Sequence, residues 1–326
     1  SINWFLFLSL ILFSDSISSR VFVILRLQQK PFYFLGVGLL NIVLSVFLNY
    51  YLIKVCQLGV FGAVVALLIV AFAQLVVLFP SIISSVSPSN FNFALFKKMF
   101  QFAIPFLPSA VLFVVMGFSD RWFIKYFLNT ESVGLYGAGY KLGSIMSLIV
   151  TAFNLNWQPY YLKFKNNAKN RFGSIGNLVI LALILTFTLL VFFVNDISSL
   201  NWEGSYLIGE NFRGGLVIVP YIALGYLFYG VYVLQMPSIF ILNKQTWGLG
   251  FWLMGATANI VGNCFLIPRF GFIGAAYSSA VSYFIMMLCL CVCNLFWMPI
   301  KYNVLYVSIN VFASFSLLFL KVYCNV

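Results

Sequence analysis

Apolar runs of membrane-spanning length, separated by short polar stretches, recur along the whole chain. A spanning helix needs roughly 20 apolar residues. The pattern predicts ten such helices, at about 2–26, 32–53, 59–80, 103–127, 132–160, 175–195, 215–242, 247–267, 272–297 and 303–322. Between the third and fourth, residues 90–101 mix Phe91, Phe93, Leu95, Phe96, Met99 and Phe100 with Lys97 and Lys98. That mixture suits a helix lying at the membrane surface. The expected fold class is an all-α polytopic membrane protein.

Composition agrees with the pattern. Of 326 residues, 63% are hydrophobic and 7% charged, whereas soluble domains carry about 25% charged residues. Lipid must be the solvent for most of this chain. The formal net charge of +12 does not form a basic face for nucleic acid, because the cations sit in short loops between the spans. One set of loops holds Arg26, Lys30, Lys97, Lys98, Lys163, Lys165, Lys169, Arg171, Lys244 and Lys301, with no acid. The other holds Lys54, Lys125, Arg213, Arg269 and Lys321 together with Glu131, Asp196, Glu203 and Glu210. Cytoplasmic loops are enriched in Lys and Arg, so the first set is expected inside. There is no His and no phosphate-loop, dinucleotide or nucleophile-elbow motif, so no cofactor is expected. Cys289, Cys291 and Cys293 lie in an apolar run without zinc-site spacing. Gly137, Gly139 and Gly143 are read as points of close helix packing.

Part of the pattern repeats. Asn41-Ile42-Val43, with Phe47-Leu48, aligns without gaps on Asn259-Ile260-Val261, with Phe265-Leu266. Phe22, Arg26 and Leu35 fall on Phe240, Lys244 and Leu253, and Gly59-Val60-Phe61-Gly62-Ala63 resembles Gly271-Phe272-Ile273-Gly274-Ala275. Spans one to three therefore resemble spans seven to nine, in the same direction, as a parallel repeat about an axis normal to the membrane. The expected architecture is two-lobed. Residues 1–89 form the remainder of an N-terminal lobe, 90–300 a complete six-helix C-terminal lobe, and 301–326 an additional helix. The N-terminal lobe is incomplete on this reading, with three helices expected ahead of Ser1.

The run Phe102-Ala103-Ile104-Pro105-Phe106-Leu107-Pro108 leads to Ser119-Asp120-Arg121-Trp122-Phe123, then Val133-Gly134-Leu135-Tyr136-Gly137-Ala138-Gly139-Tyr140-Lys141, then Trp157-Gln158-Pro159. This resembles the start of the second lobe in bacterial polysaccharide and O-antigen flippases, of the multidrug/oligosaccharidyl-lipid/polysaccharide exporter superfamily. Leu266-Ile267-Pro268-Arg269-Phe270-Gly271-Phe272-Ile273-Gly274-Ala275-Ala276 is similar to their eleventh-to-twelfth-helix connection. The resemblance implies a transporter of the inner membrane rather than an enzyme. Its substrate would be an undecaprenyl-pyrophosphate-linked oligosaccharide, turned across the bilayer by rocking lobes. A polysaccharide polymerase and a chain-length regulator are the partners it implies beyond membrane lipid.

Intramembrane charges are costly, at about 2.5–3.5 kcal/mol or more, and mark cavities or partners. Lys141, Arg121 and Arg20 are the candidate cavity cations for an anionic headgroup; an ion pair of Lys141 with Asp120 or Asp15 is the structural alternative. Asp120 and Asp15 are the candidate sites for a coupling proton or sodium ion. Asn41 and Asn259, at equivalent repeat positions, are expected to hydrogen-bond between helices. Pro105, Pro108, Pro159 and Pro237 are expected to bend theirs. Two other functions compete: a cation-coupled exporter of small molecules on the same fold, and a membrane polysaccharide polymerase or glycosyltransferase, for which only Glu203 and Glu210 on an outer loop offer carboxylates.

Overall fold

The structure, a computed structural model, describes residues 2–28, 30–85, 91–104, 106–164, 169–202 and 205–300. Its helices are α1 (Ile2–Leu27), α2 (Pro31–Asn49), α3 (Gly59–Ser85), α4 (Phe93–Ala103), α5 (Phe106–Phe127), α6 (Thr130–Gly143), α7 (Ile145–Lys163), α8 (Lys169–Phe192), α9 (Val194–Ser199), α10 (Val219–Gln235), α11 (Pro237–Ile241), α12 (Gln245–Phe270) and α13 (Phe272–Trp297). A π-helical turn, Tyr50–Val55, closes α2, and a 3₁₀ segment, Glu210–Ile218, precedes α10. The small exception to helix is an antiparallel pair, β1 (Asn201–Trp202) and β2 (Ser205–Tyr206). Among the described residues, eight helical stretches are long and apolar enough to cross a membrane, and the bent pair α6–α7, taken as one span, makes a ninth. Eight of the nine lie within about five residues of the expected runs, and the fourth, Phe93–Phe127, also takes in the stretch expected to lie at the surface. The tenth expected span, 303–322, lies outside the described residues, as do Glu203, Lys165, Lys301 and Lys321. The chain is a multi-pass, all-α membrane protein.

The large exposed side chains are those of a lipid-facing surface. Phe5, Leu12, Phe32 and Val60 are more than two-thirds exposed, which lipid tolerates and water would not. The aromatic residues of 91–100 and the two lysines of α4, Lys97 and Lys98, are all exposed. 

Two compact units divide at Leu95 and Phe96, close to the expected lobe boundary. In the first unit α3 packs on both α1 and α2. Tyr33 of α2 donates to the Val77 carbonyl of α3 at 2.6 Å, and Asn41 donates to Gln74 Oε1. In the second unit α13 packs in the same way on α10 and α12, and α12 also packs on α5. α3 and α13 thus each lie against two helices of their own unit. Asn41 and Asn259 both bond between helices, Asn41 to Gln74 of α3 and Asn259 to Ser279 of α13. 

Helix breaks fall partly on the prolines. Pro237 opens α11 after a break at Met236, and Asn294 of α13 covers that break by donating to the Gln235 carbonyl at 3.0 Å and to Gln235 Oε1 at 2.8 Å. Pro159 stays inside α7, and Pro105 lies outside the described residues. The 43° bend of the fifth span occurs at Ser144 instead, next to Gly143, where the paired small residues leave the backbone free to kink. Gly271 ends α12 at φ +62°, a left-handed conformation that glycine adopts without a Cβ penalty.

Candidate functional site

α5, α6, α12 and α13 meet at one carboxylate. Asp120, on α5, is 1% exposed. Its Oδ2 accepts from Tyr136 Oη of α6 at 2.6 Å and from Ser279 Oγ of α13 at 2.7 Å. Its Oδ1 accepts from Asn263 Nδ2 of α12 at 2.8 Å and from Asn259 Nδ2 at 3.3 Å. Asn259 Oδ1 in turn accepts from Ser119 Oγ at 2.8 Å and from Asn263 Nδ2 at 3.2 Å. Ser278 Oγ donates to the Asn259 carbonyl at 2.8 Å. An ionised carboxylate offers about four lone-pair sites, and neutral donors fill them.

The spacing on each helix explains this convergence. Asn259 and Asn263 are one turn apart on α12, so both reach the α5 side. Tyr136 and Tyr140 are likewise one turn apart on α6. Tyr136 takes Asp120, while Tyr140 Oη pairs with Tyr226 Oη of α10 at 2.6 Å. Asn263 Oδ1 is buried and has no hydrogen-bond partner. Buried polar atoms are nearly always satisfied, so this carbonyl oxygen, beside a carboxylate, marks a place where a cation or proton would be welcome.

Arg121 does not pair with its neighbour. Adjacent helical residues point about 100° apart, and the half-buried Arg121 lies 4.5 Å over the Tyr140 ring and donates Nη1 to the Gly117 carbonyl at 2.9 Å. The Asp120 charge therefore meets no ion-pair partner among the described residues.

Lys141 is exposed on α6 and does not pair with Asp120. It lines a cavity of about 490 Å³ with Gly137, Ala138, Gly209 and Phe212, between α6 and the segment leading to α10. Asp15 and Arg20 lie on α1 in the other unit, both exposed, while Ser14 and Ser18 of the same polar band turn inward. The structure thus gathers Asp120, Arg121 and Lys141 onto the facing helices α5 and α6 of one unit. Sequence reasoning missed Tyr136, Asn263 and Ser279. The available signal was the one-turn pairing of Asn259 with Asn263 and of Tyr136 with Tyr140.

No protein family, no curated protein and no solved structure matches this chain.

The geometry ranks the contributions to the knot. Hydrogen bonds to charged groups contribute about 1.5–3 kcal/mol, neutral ones about 0.5–1.5. Tyr136→Phe is therefore expected to destabilise the purified protein by ~1.5–3 kcal/mol, and Tyr140→Phe by roughly half as much. Thermal unfolding in detergent checks the order; equal losses would show that Asp120 does not bind Tyr136 as an anion.

Proposed function

We propose that this chain is a lipid-linked oligosaccharide flippase of the bacterial inner membrane, working by alternating access for surface-polysaccharide biosynthesis, with a proton or sodium ion taken up at Asp120. One observation carries the reading. Two of the sequence stretches that resemble the flippases, 119–123 and 133–141, meet in space: Asp120 of the first accepts from Tyr136 of the second at 2.6 Å, and Arg121 lies over Tyr140. Residues that resemble a family in separate helices, and that then form one buried polar knot, support a site rather than a coincidence of apolar composition.

The chemistry suits coupling. A carboxylate in the membrane interior without a cationic partner is costly. Binding a small cation or a proton relieves that cost, and rotating Tyr136 and Ser279 would turn hydroxyl lone pairs toward the ion. The knot joins four helices, so occupancy would change how α5 and α6 pack on α12 and α13. Such a two-state element is what coupling requires. The same carboxylate also favours a second reading, a cation-coupled exporter of small molecules.

Lys141 separates the two. A pyrophosphate entering the membrane needs fixed cations in place of lost water, and Lys141 lines a cavity without an acid beside it. Lys141→Ala in a cell that depends on this protein is expected to cut surface-glycan display about tenfold or more at matched protein level, and Lys141→Arg to retain part of it. Undiminished display in Lys141→Ala, with drug efflux lost in Asp120→Asn, would hand the assignment to the exporter.

A further inference from the structure

A second cavity, of about 600 Å³, lies on the face that the loop charges assign to the outside, within the about 300–1,000 Å³ range of small-molecule sites. Asn195, Asp196, Ser198 and Ser199 of α9 line one side, and Arg213 of the 3₁₀ segment lines the other. The guanidinium of Arg213 lies 4.7 Å over the Tyr206 ring. Its Nε and Nη2 are buried and have no hydrogen-bond partner among the described residues. Arginine carries five N–H donors and no acceptor, and a buried charged donor left unmet is among the costlier defects of a fold. Asp196 shares the cavity without reaching these nitrogens. Ser198 and Ser199 spend their hydrogens on the carbonyls of Asn195 and Asp196, at 2.7 Å and 3.0 Å, which leaves their hydroxyl oxygens as acceptors.

These groups sort into two halves. On the Arg213 side the guanidinium carries a planar pair of unmet donors, the geometry that grips a carboxylate or phosphate in a fork. The α9 edge presents acceptors, led by Asp196. A free inorganic anion would satisfy the first half and be repelled by the second. An acidic sugar satisfies both, because its ring holds the anionic group apart from hydroxyls that donate.

We propose that this cavity binds an acidic sugar unit, one bearing a carboxylate or a phosphate, with Arg213 holding the anionic group and Asp196 accepting the sugar hydroxyls. The site's place in the transport of a glycan rests on the flippase reading above, as a docking point for the sugar chain on the outer side; the binding itself does not depend on it.

The test is ligand binding to the purified full chain in lipid nanodiscs, by saturation-transfer NMR and calorimetry. The probes are glucuronic acid, glucose 6-phosphate, glucose and inorganic phosphate. Either or both acidic sugars should bind at least about tenfold more tightly than glucose and than phosphate, a gap of ~1.4 kcal/mol; which acidic sugar wins tells carboxylate from phosphate. Arg213→Ala should remove that preference, Arg213→Lys should keep part of it, and Asp196→Asn should weaken every sugar while leaving phosphate no weaker. Equal binding of glucose and the acidic sugars, phosphate as the tightest probe, or no binding by a protein whose unfolding temperature shows it folded, would each overturn the proposal. Acidic-sugar binding that survives in a protein with no effect on glycan display would instead sink the flippase reading and leave this site standing.

Discussion

Asp120→Asn is expected to abolish ion-dependent transport and, separately, the stabilisation of the folded protein by the coupling ion. Asn has one acceptor oxygen where the carboxylate has two. Four neutral donors aim at that position, so an amide group there faces at least two of them with hydrogens of its own. Each donor left unmet costs about 1–3 kcal/mol, and the variant should unfold at lower temperature. That loss alone would not separate a structural carboxylate from a coupling one. The ion does. A ligand that binds only the folded state stabilises it by about 2.7 kcal/mol at a hundred times its dissociation constant. Wild-type protein should gain in unfolding temperature with the coupling ion, tested with sodium, and Asp120→Asn should gain nothing. Asn263→Ala, which removes the unpartnered oxygen, should weaken the ion response while leaving all but one donor to Asp120 in place. A full ion response in Asp120→Asn would make the knot a packing device and nothing more.

Much of the fold was legible because its physics is one-dimensional. A helix in lipid satisfies its own backbone, so span positions follow from apolar run length alone, and eight of the nine do. The interhelical bonding of Asn41 and Asn259 was legible as well, and the structure gives both that role. What failed to show was anything set by packing between helices. Prolines mark where a helix can bend, yet the 43° bend lies at Ser144, where the contacts of Gly143 with Ile222 draw α6 against α10. Asp120 stood out because charge in an apolar span is rare. Tyr136, Asn263 and Ser279 did not, because polar residues of their kind are scattered through every span and only the meeting of four helices selects these three. Arg213 was counted as one loop cation among many. The burial of its Nε and Nη2 is set by how the 3₁₀ segment after β2 packs, which no local pattern announces.

That packing depends on two glycines, and Gly215→Ala is expected to be among the most damaging single changes in the chain. A Cβ at Gly215 would lie 2.0 Å from the Leu135 carbonyl oxygen and 2.8 Å from its carbon. The clash is with backbone, so no side-chain rotation relieves it. The relation is reciprocal, since a Cβ at Gly139 would lie 2.0 Å from the Gly215 oxygen. Either alanine must push the 3₁₀ segment off α6. Overpacking of a well-packed site costs typically 1–3 kcal/mol, occasionally more, and contact with backbone belongs at the upper end. The Lys141 cavity and the Arg213 cavity lie on this same segment, so both would be distorted together. Gly137→Ala supplies the control: its Cβ would meet nothing within 4 Å, and replacing glycine inside a helix is expected to be neutral or to stabilise by roughly 0.5–1 kcal/mol. Membrane-fraction abundance and unfolding temperature in detergent decide between them. Gly215→Ala and Gly139→Ala should both fall well below wild type and Gly137→Ala should not. If Gly215→Ala accumulates and unfolds like the wild type, the 3₁₀ segment does not rest on α6, and the two cavities it closes lose their common wall.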